Sequence, residues 1–274
     1  MRYLAYGLLV ILFTFPAIVA NGAGKMAVDS PDLYTEEVDY SADGVELKGY
    51  LAYDKNIKGK RPGVLVVHEW WGHNDYARKR ARMLAELGYT AFAVDMYGSG
   101  KTADHPDDAT RFMNEVLEKM ERGKARFNAA LDLLKRQTTT DQKRVASIGY
   151  CFGGGVVLHM ARRGADLKGV VTFHGSLGSL HTPDPGSVKA KVLVLHGADD
   201  KLIPAAQVEA FKSEMTAARA DYRFVAYPGA SHSFTNPDAD SFAERFNMPL
   251  AYSKEADTLS WQEMKSFLEK VFSE

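Results

Sequence analysis

Cysteine is almost absent from this sequence, since Cys151 is the single one in 274 residues. A structural disulfide within one chain is therefore excluded. An excess of positive charge is also lacking, because 34 Lys and Arg residues face 35 Asp and Glu residues, for a formal net charge of −1. This balance excludes the basic surface that nucleic acid requires, so no nucleic-acid partner is expected. The sequence contains no repeats, and its length and apolar fraction fit one globular domain.

The N-terminal segment has the layout of a secretory signal peptide. Arg2 precedes an apolar run over residues 3–20, and small and polar residues follow. This predicts a signal peptide over residues 1–23, with cleavage near 20–23. The alternative is an uncleaved membrane anchor, because the run is marginally long enough to span a bilayer; Pro16 and the small residues favour cleavage. We therefore expect an exported protein, periplasmic or secreted, with no stable membrane association after cleavage.

The remaining chain alternates strand and helix patterns. Alternation of apolar and polar residues predicts an exposed antiparallel strand over 45–53. The other predicted strands cover 62–68, 89–97, 144–150, 167–175, 190–197 and 222–229. The predicted helices cover 75–88, 107–136, 152–164, 204–219 and 256–272. This order predicts an α/β fold with a doubly wound, mainly parallel sheet and helices on both faces. Ligands of such sheets bind at the carboxyl ends of the strands.

The single cysteine lies in "GYCFG" (149–153), at the end of an apolar run. The segment fits the Gly-x-nucleophile-x-Gly elbow, with cysteine where serine is commoner. The sharp strand-to-helix turn holds the nucleophile in a strained conformation, and the flanking glycines avoid clashes with neighbouring elements. The N-terminus of the following helix would favour the thiolate of Cys151. The alternative is a small buried cysteine beneath a glycine-rich turn.

The order of polar residues after later strands supports a catalytic triad. Hydrolases of this architecture place the nucleophile first, then an acid after a later strand, then a histidine after the last strand. "VLVLHGADDKLIP" supplies Asp199 and Asp200, and "VAYPGASHSF" supplies His232. Asp200 lies four residues before Pro204, a spacing usual in hydrolases of this fold, so it is preferred to Asp199. The alternative for His232 is a solvated loop histidine.

This trio of residues suits nucleophilic catalysis by a thiol. A cysteine with its ordinary pKa of about 8.5 is only a few per cent thiolate at neutral pH. His232 can take the proton of Cys151 and later activate water. Asp200 would hold the imidazole in the tautomer that faces the sulfur.

Two further motifs resemble ligand sites but do not fit them. "HEWWGH" (68–73) is similar to the zinc motif H-E-x-x-H, but its second histidine comes one residue too late, and Gly72 with two tryptophans makes a poor helix. "GSGKT" (98–102) is similar to a phosphate loop, but the pattern needs glycine at position 95, where Asp95 stands. No metal and no cofactor is therefore expected.

Together, "VVHEWWG", "GYCFGG", "GADDKLIP" and "ASHSF" resemble the dienelactone hydrolase family of α/β-hydrolases. The likeness covers about residues 35–272, with the four motifs in family order. It implies a single α/β-hydrolase domain over 35–274, with Cys151, Asp200 and His232 as the triad. The segments between strands are too short for a separate lid domain.

The resemblance also assigns a role to the segment after the first buried strand. Glu69 matches the family's glutamate that contacts the resting cysteine, is displaced by substrate and helps to generate the thiolate. The alternative for Glu69 is a surface salt bridge. Geometry shared across the fold predicts an oxyanion hole made by the backbone N–H groups of Phe152 and Trp70. Trp70 and Trp71 are expected to wall the pocket, although core packing explains Trp71 equally well.

The sequence departs from the family where arginines grip the substrate carboxylate. "GSGKT" and Asn236 stand at those places, and Lys101 offers only a point charge. We therefore expect a hydrolase of small esters or lactones that does not depend on a carboxylate. The alternatives are a redox-active or peroxide-sensing thiol protein, which would usually have a resolving cysteine, and a binding protein on the same fold without turnover.

Overall fold

A computed structural model describes residues 31–274, and the predicted signal peptide lies outside this part of the chain. The strands are β1 (Leu33–Ala42), β2 (Val45–Asp54), β3 (Arg61–Val67), β4 (Thr90–Val94), β5 (Thr140–Tyr150), β6 (Gly169–Phe173), β7 (Lys191–Gly197) and β8 (Tyr222–Tyr227). The helices are α1 (Asp75–Glu86), α2 (Pro106–Leu117), α3 (Met120–Arg136), α4 (Phe152–Arg162), α5 (Ala205–Ala217), α6 (Ala239–Phe246) and α7 (Lys254–Ser273).

The strands form one sheet in the order β1-β2-β4-β3-β5-β6-β7-β8. Strands β3 to β8 are parallel, and β1 and β2 are antiparallel to their neighbours. One apolar layer packs α1 and α7 against the sheet. A second packs α3, α4 and α5 against the opposite face. The prediction of a doubly wound, mainly parallel sheet is confirmed.

The prediction that the strand over 45–53 is exposed is wrong. β2 pairs with β4 on one side and, along ten residues, with β1 on the other. Leu47 and Ala52 are fully buried. The sequence analysis missed β1, whose link to β2 is the dipeptide Asp43-Gly44. Both residues have positive φ, 54° and 70°, as a two-residue hairpin turn of type I′ requires.

The prediction of a single helix over 107–136 is also wrong, because two helices occupy that range. α2 ends at Leu117, Lys119 has the non-helical angles φ −127° and ψ 64°, and α3 begins at Met120. The apolar spacing continues through the break, so the pattern alone predicts one helix. After the break, α3 packs on the sheet, and α2 packs against α3.

The parallel strands bring four loops to one edge of the sheet. The segments after β3, β5, β7 and β8 carry Glu69, Cys151, Asp200 and His232 respectively. Because the carboxyl ends of parallel strands meet at one edge, these side chains converge there. Among residues 31–274, no helix is long and apolar enough to cross a membrane.

Candidate active site

The turn between β5 and α4 holds Cys151 in a strained conformation. Its backbone has φ 52° and ψ −115°, a region that residues with a side chain rarely occupy. The flanking glycines leave no room for side chains: a Cβ on Gly153 would lie 2.4 Å from the carbonyl oxygen of Val67, and one on Gly149 would lie 2.2 Å from that of Gly153. The turn thus presents the sulfur at the first turn of α4.

Cysteine, histidine and aspartate lie in one hydrogen-bonded line. The Cys151 Sγ lies 3.1 Å from His232 Nε2, and His232 Nδ1 lies 2.8 Å from Asp200 Oδ2. The backbone N–H of Leu202 donates to the other Asp200 oxygen at 2.9 Å, which fixes the carboxylate. Asp199 is exposed and lies outside this line. The structure therefore brings together the three residues that the sequence analysis selected, including the preferred aspartate.

The surroundings of His232 favour its charged form. Burial opposes a positive charge on the imidazole, but the Cys151 sulfur and the hydrogen bond to Asp200 outweigh it and raise the pKa of His232. The ring of His174 packs edge-on at 5.4 Å between centroids, and burial holds the pKa of His174 well below its usual value. His174 is thus a neutral neighbour. The arrangement therefore favours a protonated His232 imidazole next to the Cys151 sulfur.

Two residues that line the cavity at Cys151 have a backbone N–H group without a hydrogen-bond partner. In the described part of the chain, neither the N–H of Phe152 nor that of Trp70 donates a hydrogen bond. The peptide group that joins Glu69 to Trp70 is held through its carbonyl oxygen. The backbone N–H of Met96 donates to His68 Nε2, so His68 Nδ1 carries the ring hydrogen and donates it to the Glu69 carbonyl oxygen. These are the donors predicted for an oxyanion hole.

Glu69 is a buried carboxyl group, only 2% exposed. The alternative of a surface salt bridge is therefore wrong. Its Oε2 accepts a hydrogen bond of 2.6 Å from Asn236 Nδ2, and it makes no hydrogen bond to the Cys151 sulfur. Burial raises the pKa of Glu69, although the Asn236 hydrogen bond and the nearby His232 lower it in part. Asn236, which stands where the family carries an arginine, thus holds Glu69 through a neutral amide.

A cavity of about 330 Å³ opens directly onto the sulfur. It is lined by Trp70, Met113, Cys151, Phe152, Ser176, Leu202, Ile203, His232, Met248 and Leu250. None of these lining residues is a lysine or an arginine. Lys101 Nζ lies 5.3 Å from the centre of the Phe112 ring and does not line the cavity. Apart from Cys151, Ser176 and His232, the residues that line the cavity are apolar.

The segment that closes one wall of this cavity was not predicted from the sequence. α6 packs on Trp71, which stacks against Phe242 with 4.2 Å between ring centroids and is a core residue rather than a pocket wall. The chain after α6 supplies Met248 and Leu250, and Leu250 pairs with the backbone of His232. The spacing of Phe242 and Phe246 by four residues was an available signal for a short helix.

The two motifs set aside in the sequence have structural roles. The Asp95 carboxylate accepts hydrogen bonds from the backbone N–H groups of Lys48, Tyr97, Gly98 and Gly100. The N–H groups that a phosphate would need in the "GSGKT" turn are thus partly taken by Asp95. Residues 68–73 form a loop rather than a zinc-binding helix. In residues 31–274, no group of three or more His, Cys, Asp or Glu side chains is placed to hold a metal ion.

This sheet, with Cys151 on a strained turn after β5, Asp200 after β7 and His232 after β8, has the fold of an α/β-hydrolase. Residues 47–272 match the model of the dienelactone hydrolase family, and the chain belongs to that family of hydrolases. It is 30% identical over 229 residues to protein usf of Aquifex pyrophilus, covering 80% of this chain and 97% of that one. It is 28% identical to a candidate carboxymethylenebutenolidase of Saccharolobus solfataricus, covering 86% and 98%.

Solved structures agree with this assignment. A dienelactone hydrolase-like promiscuous phosphotriesterase from metagenomic libraries is 35% identical and superposes with a TM-score of 0.80, covering 88% of this chain and 99% of that one. A dienelactone hydrolase of Anabaena variabilis, 23% identical, shares the fold with a TM-score of 0.57 over 81% of this chain and all of that one. The predicted fold and family are both confirmed.

Proposed function

We propose that this protein hydrolyses small esters or lactones through a thioester on Cys151. The observation that carries the proposal is the line from Asp200 through His232 to the sulfur, with hydrogen-bond lengths of 2.8 and 3.1 Å. A thiol so placed beside a base is an activated nucleophile. A redox role is less well supported, because the sequence has no second cysteine to resolve an oxidised one.

Acylation begins from the thiolate–imidazolium pair. The Cys151 sulfur attacks the carbonyl carbon, and the negative charge that develops on the carbonyl oxygen is stabilised by the N–H groups of Phe152 and Trp70. Collapse of this intermediate breaks the ester C–O bond. His232 gives its Nε2 proton to the departing oxygen, so an alcohol leaves and the acyl group remains on the sulfur as a thioester. For a lactone the alcohol stays part of the same molecule.

Deacylation returns the enzyme to its resting state. Neutral His232 takes a proton from water, and the oxygen attacks the thioester carbon. The second tetrahedral intermediate collapses with the thiolate as leaving group and the imidazolium as its partner. The carboxylic acid product then loses its proton to solvent. Asp200 keeps the imidazole in one tautomer and stabilises its charged form throughout.

Glu69 is proposed to assist in forming the thiolate, as the family resemblance implies. In the structure its hydrogen bond goes to Asn236, and His232 is the group bonded to the sulfur. His232 is therefore the base that the geometry supports in the free enzyme. Glu69 would act only when substrate displaces it from Asn236.

We also propose that the protein is exported to the periplasm or secreted. The charged start, apolar run and small residues over 1–23 support cleavage near 20–23. N-terminal sequencing of the protein recovered from the periplasm or medium of an expressing bacterium is expected to find a mature end there. Recovery of the intact N-terminus in membranes would instead show an uncleaved anchor.

The mechanism is tested by alkylating the only thiol. Iodoacetamide is expected to abolish hydrolysis of p-nitrophenyl acetate in step with labelling of Cys151, and substrate is expected to slow both. Mass spectrometry gives the extent of labelling, and the unlabelled enzyme carried through the same steps is the control. Full activity after stoichiometric labelling would rule out the thioester.

A further inference from the structure

A second groove, here called the side groove, adjoins the cavity around Cys151 and is lined by apolar side chains, glycines and two serines. It has a volume of about 310 Å³ and shares Met113, Phe152 and Ser176 with the cavity of about 330 Å³ around Cys151. From these shared residues it runs past Leu117 to Leu180. The two spaces thus adjoin at Met113, Phe152 and Ser176, and a chain that extends from the sulfur past these residues would enter the side groove.

One wall of the side groove is an apolar stripe on α2 and the start of α3. Met113, Leu117 and Met120 follow one another at spacings of four and three residues and all line it. At its far end Leu180 is 63% exposed, more than any other exposed large apolar side chain in residues 31–274. Exposed apolar surface that adjoins a site commonly marks a place where an apolar ligand binds.

The glycines after the cysteine show why the floor of the side groove is open. A Cβ on Gly153 or Gly154 would collide with fixed atoms, at 2.4 Å from the Val67 carbonyl oxygen and 2.3 Å from the Thr172 hydroxyl oxygen. A Cβ on Gly155 would meet only Ser176, at 3.3 Å or more. Packing therefore accounts for the first two glycines. The third keeps side-chain atoms out of the side groove, which it lines.

The mechanism determines which part of an ester would lie there. The leaving oxygen takes its proton from His232, so the alcohol part must lie on the side of the cavity that His232 lines. The side groove is lined by Phe152, whose N–H faces the acyl oxygen, and not by His232. The acyl part, bonded to the sulfur, points away from the leaving group and so toward the side groove.

Resting on the function proposed above, we infer that the side groove binds the acyl chain of the ester and favours apolar chains long enough to reach it. It holds no lysine, arginine, aspartate or glutamate that would bind a polar chain. Complete burial of a methylene group changes binding by up to about fourfold. Since the side groove is open to solvent, we expect kcat/KM to rise by at least about tenfold from a four-carbon to an eight-carbon acyl chain.

The test compares p-nitrophenyl acetate, butanoate and octanoate on the purified enzyme, which share one leaving group. The variant Leu180→Asp places a charge at the end of the side groove on an already exposed position. It is expected to lower the ratio of kcat/KM for octanoate to that for acetate by at least fivefold. Leu259→Asp, at a leucine 46% exposed on α7 and away from both cavities, is the matched control and should leave this ratio unchanged.

The outcomes separate the two proposals. The assignment of the side groove would be overturned if kcat/KM for octanoate were no higher than that for butanoate. It would also be overturned if Leu180→Asp and Leu259→Asp changed the octanoate-to-acetate ratio equally. In either case, hydrolysis of the acetate ester would still support the proposed esterase activity. No hydrolysis of any of the three esters would overturn the proposed function, and this inference with it.

Discussion

Asp199 and Asp200 are adjacent in sequence but differ in surroundings. Asp200 is 6% exposed and bonded to His232, whereas Asp199 is exposed. Asp200→Asn is expected to lower kcat by about a thousandfold or more, because the amide favours the wrong imidazole tautomer. Asp199→Asn, the matched control, should change kcat by less than about threefold. Steady-state assays on both purified variants measure this, and the opposite order would identify Asp199 as the acid.

Glu69 is expected to make the stability of the protein depend on pH. Burial raises its pKa in the native state above the ordinary value, about 4.3, that it has in the unfolded chain. The native state therefore holds this proton more tightly. Its contribution to stability is complete below the unfolded-state pKa and is lost as pH rises through the native pKa. A neutral side chain of the same shape would not lose its contribution to stability as pH rises.

Glu69→Gln provides the comparison, because glutamine can still accept the hydrogen bond from Asn236. The free energy of unfolding of this variant minus that of the wild type is expected to increase between pH 4 and pH 8. Urea unfolding at several pH values measures it. Glu244→Gln, which removes one exposed carboxyl group from α6, is the matched control for the loss of a glutamate. A pH-independent difference for Glu69→Gln would show that the pKa of Glu69 is unchanged by folding.

The turn between β5 and α4 illustrates how a fold element restricts sequence. Gly153→Ala would place a Cβ 2.4 Å from the backbone oxygen of Val67, which cannot move without disturbing β3. Gly155→Ala would place one 3.3 Å from the Ser176 side chain, in a helix where alanine is favoured over glycine by about 1 kcal/mol. We expect Gly153→Ala to lower stability by several kcal/mol and Gly155→Ala to lie within about 1 kcal/mol of the wild type.

Thermal and urea unfolding of the two alanine variants test this difference. Both substitutions lie in α4 and add one methyl group, so helix propensity is matched between them. Equal stabilities would mean that the close contact of Gly153 with β3 is not maintained in solution.

At the scale of whole elements, the buried strands and the residues that follow them could be predicted, because both depend on a local pattern of apolar residues. Buried parallel strands are continuous apolar runs, and the residues after them are the ones that meet at the sheet edge; this was enough to select Cys151, Asp200 and His232. The break at Lys119 was hidden because the apolar spacing runs through it. α6 was missed although Phe242 and Phe246 are spaced as on one face of a helix; what its apolar side packs on, Trp71, is distant in sequence. The partner of Glu69 likewise lies 167 residues away, beyond any local signal.

At the scale of the whole molecule, the distribution of charge around the site determines which substrates fit. The net charge of −1 gives no long-range attraction for anions. The cavity itself is lined by apolar residues together with Cys151, Ser176 and His232, and it has no cation other than charged His232. A carboxylate on the substrate would lose water there without gaining an ion pair. Neutral esters of similar size should therefore be the better substrates.

The resulting prediction concerns kcat/KM for dienelactone and for a neutral ester of matched size. We expect the neutral ester to be at least as good a substrate of the wild type. Leu202→Arg should shift the ratio toward dienelactone by about tenfold, the effect of one charge-assisted hydrogen bond of about 1.4 kcal/mol, because Leu202 lines the cavity and is 44% exposed. Leu259→Arg adds the same charge far from the site and should shift it little. A hundredfold preference of the wild type for dienelactone would mean that a cation such as Lys101 reaches the substrate.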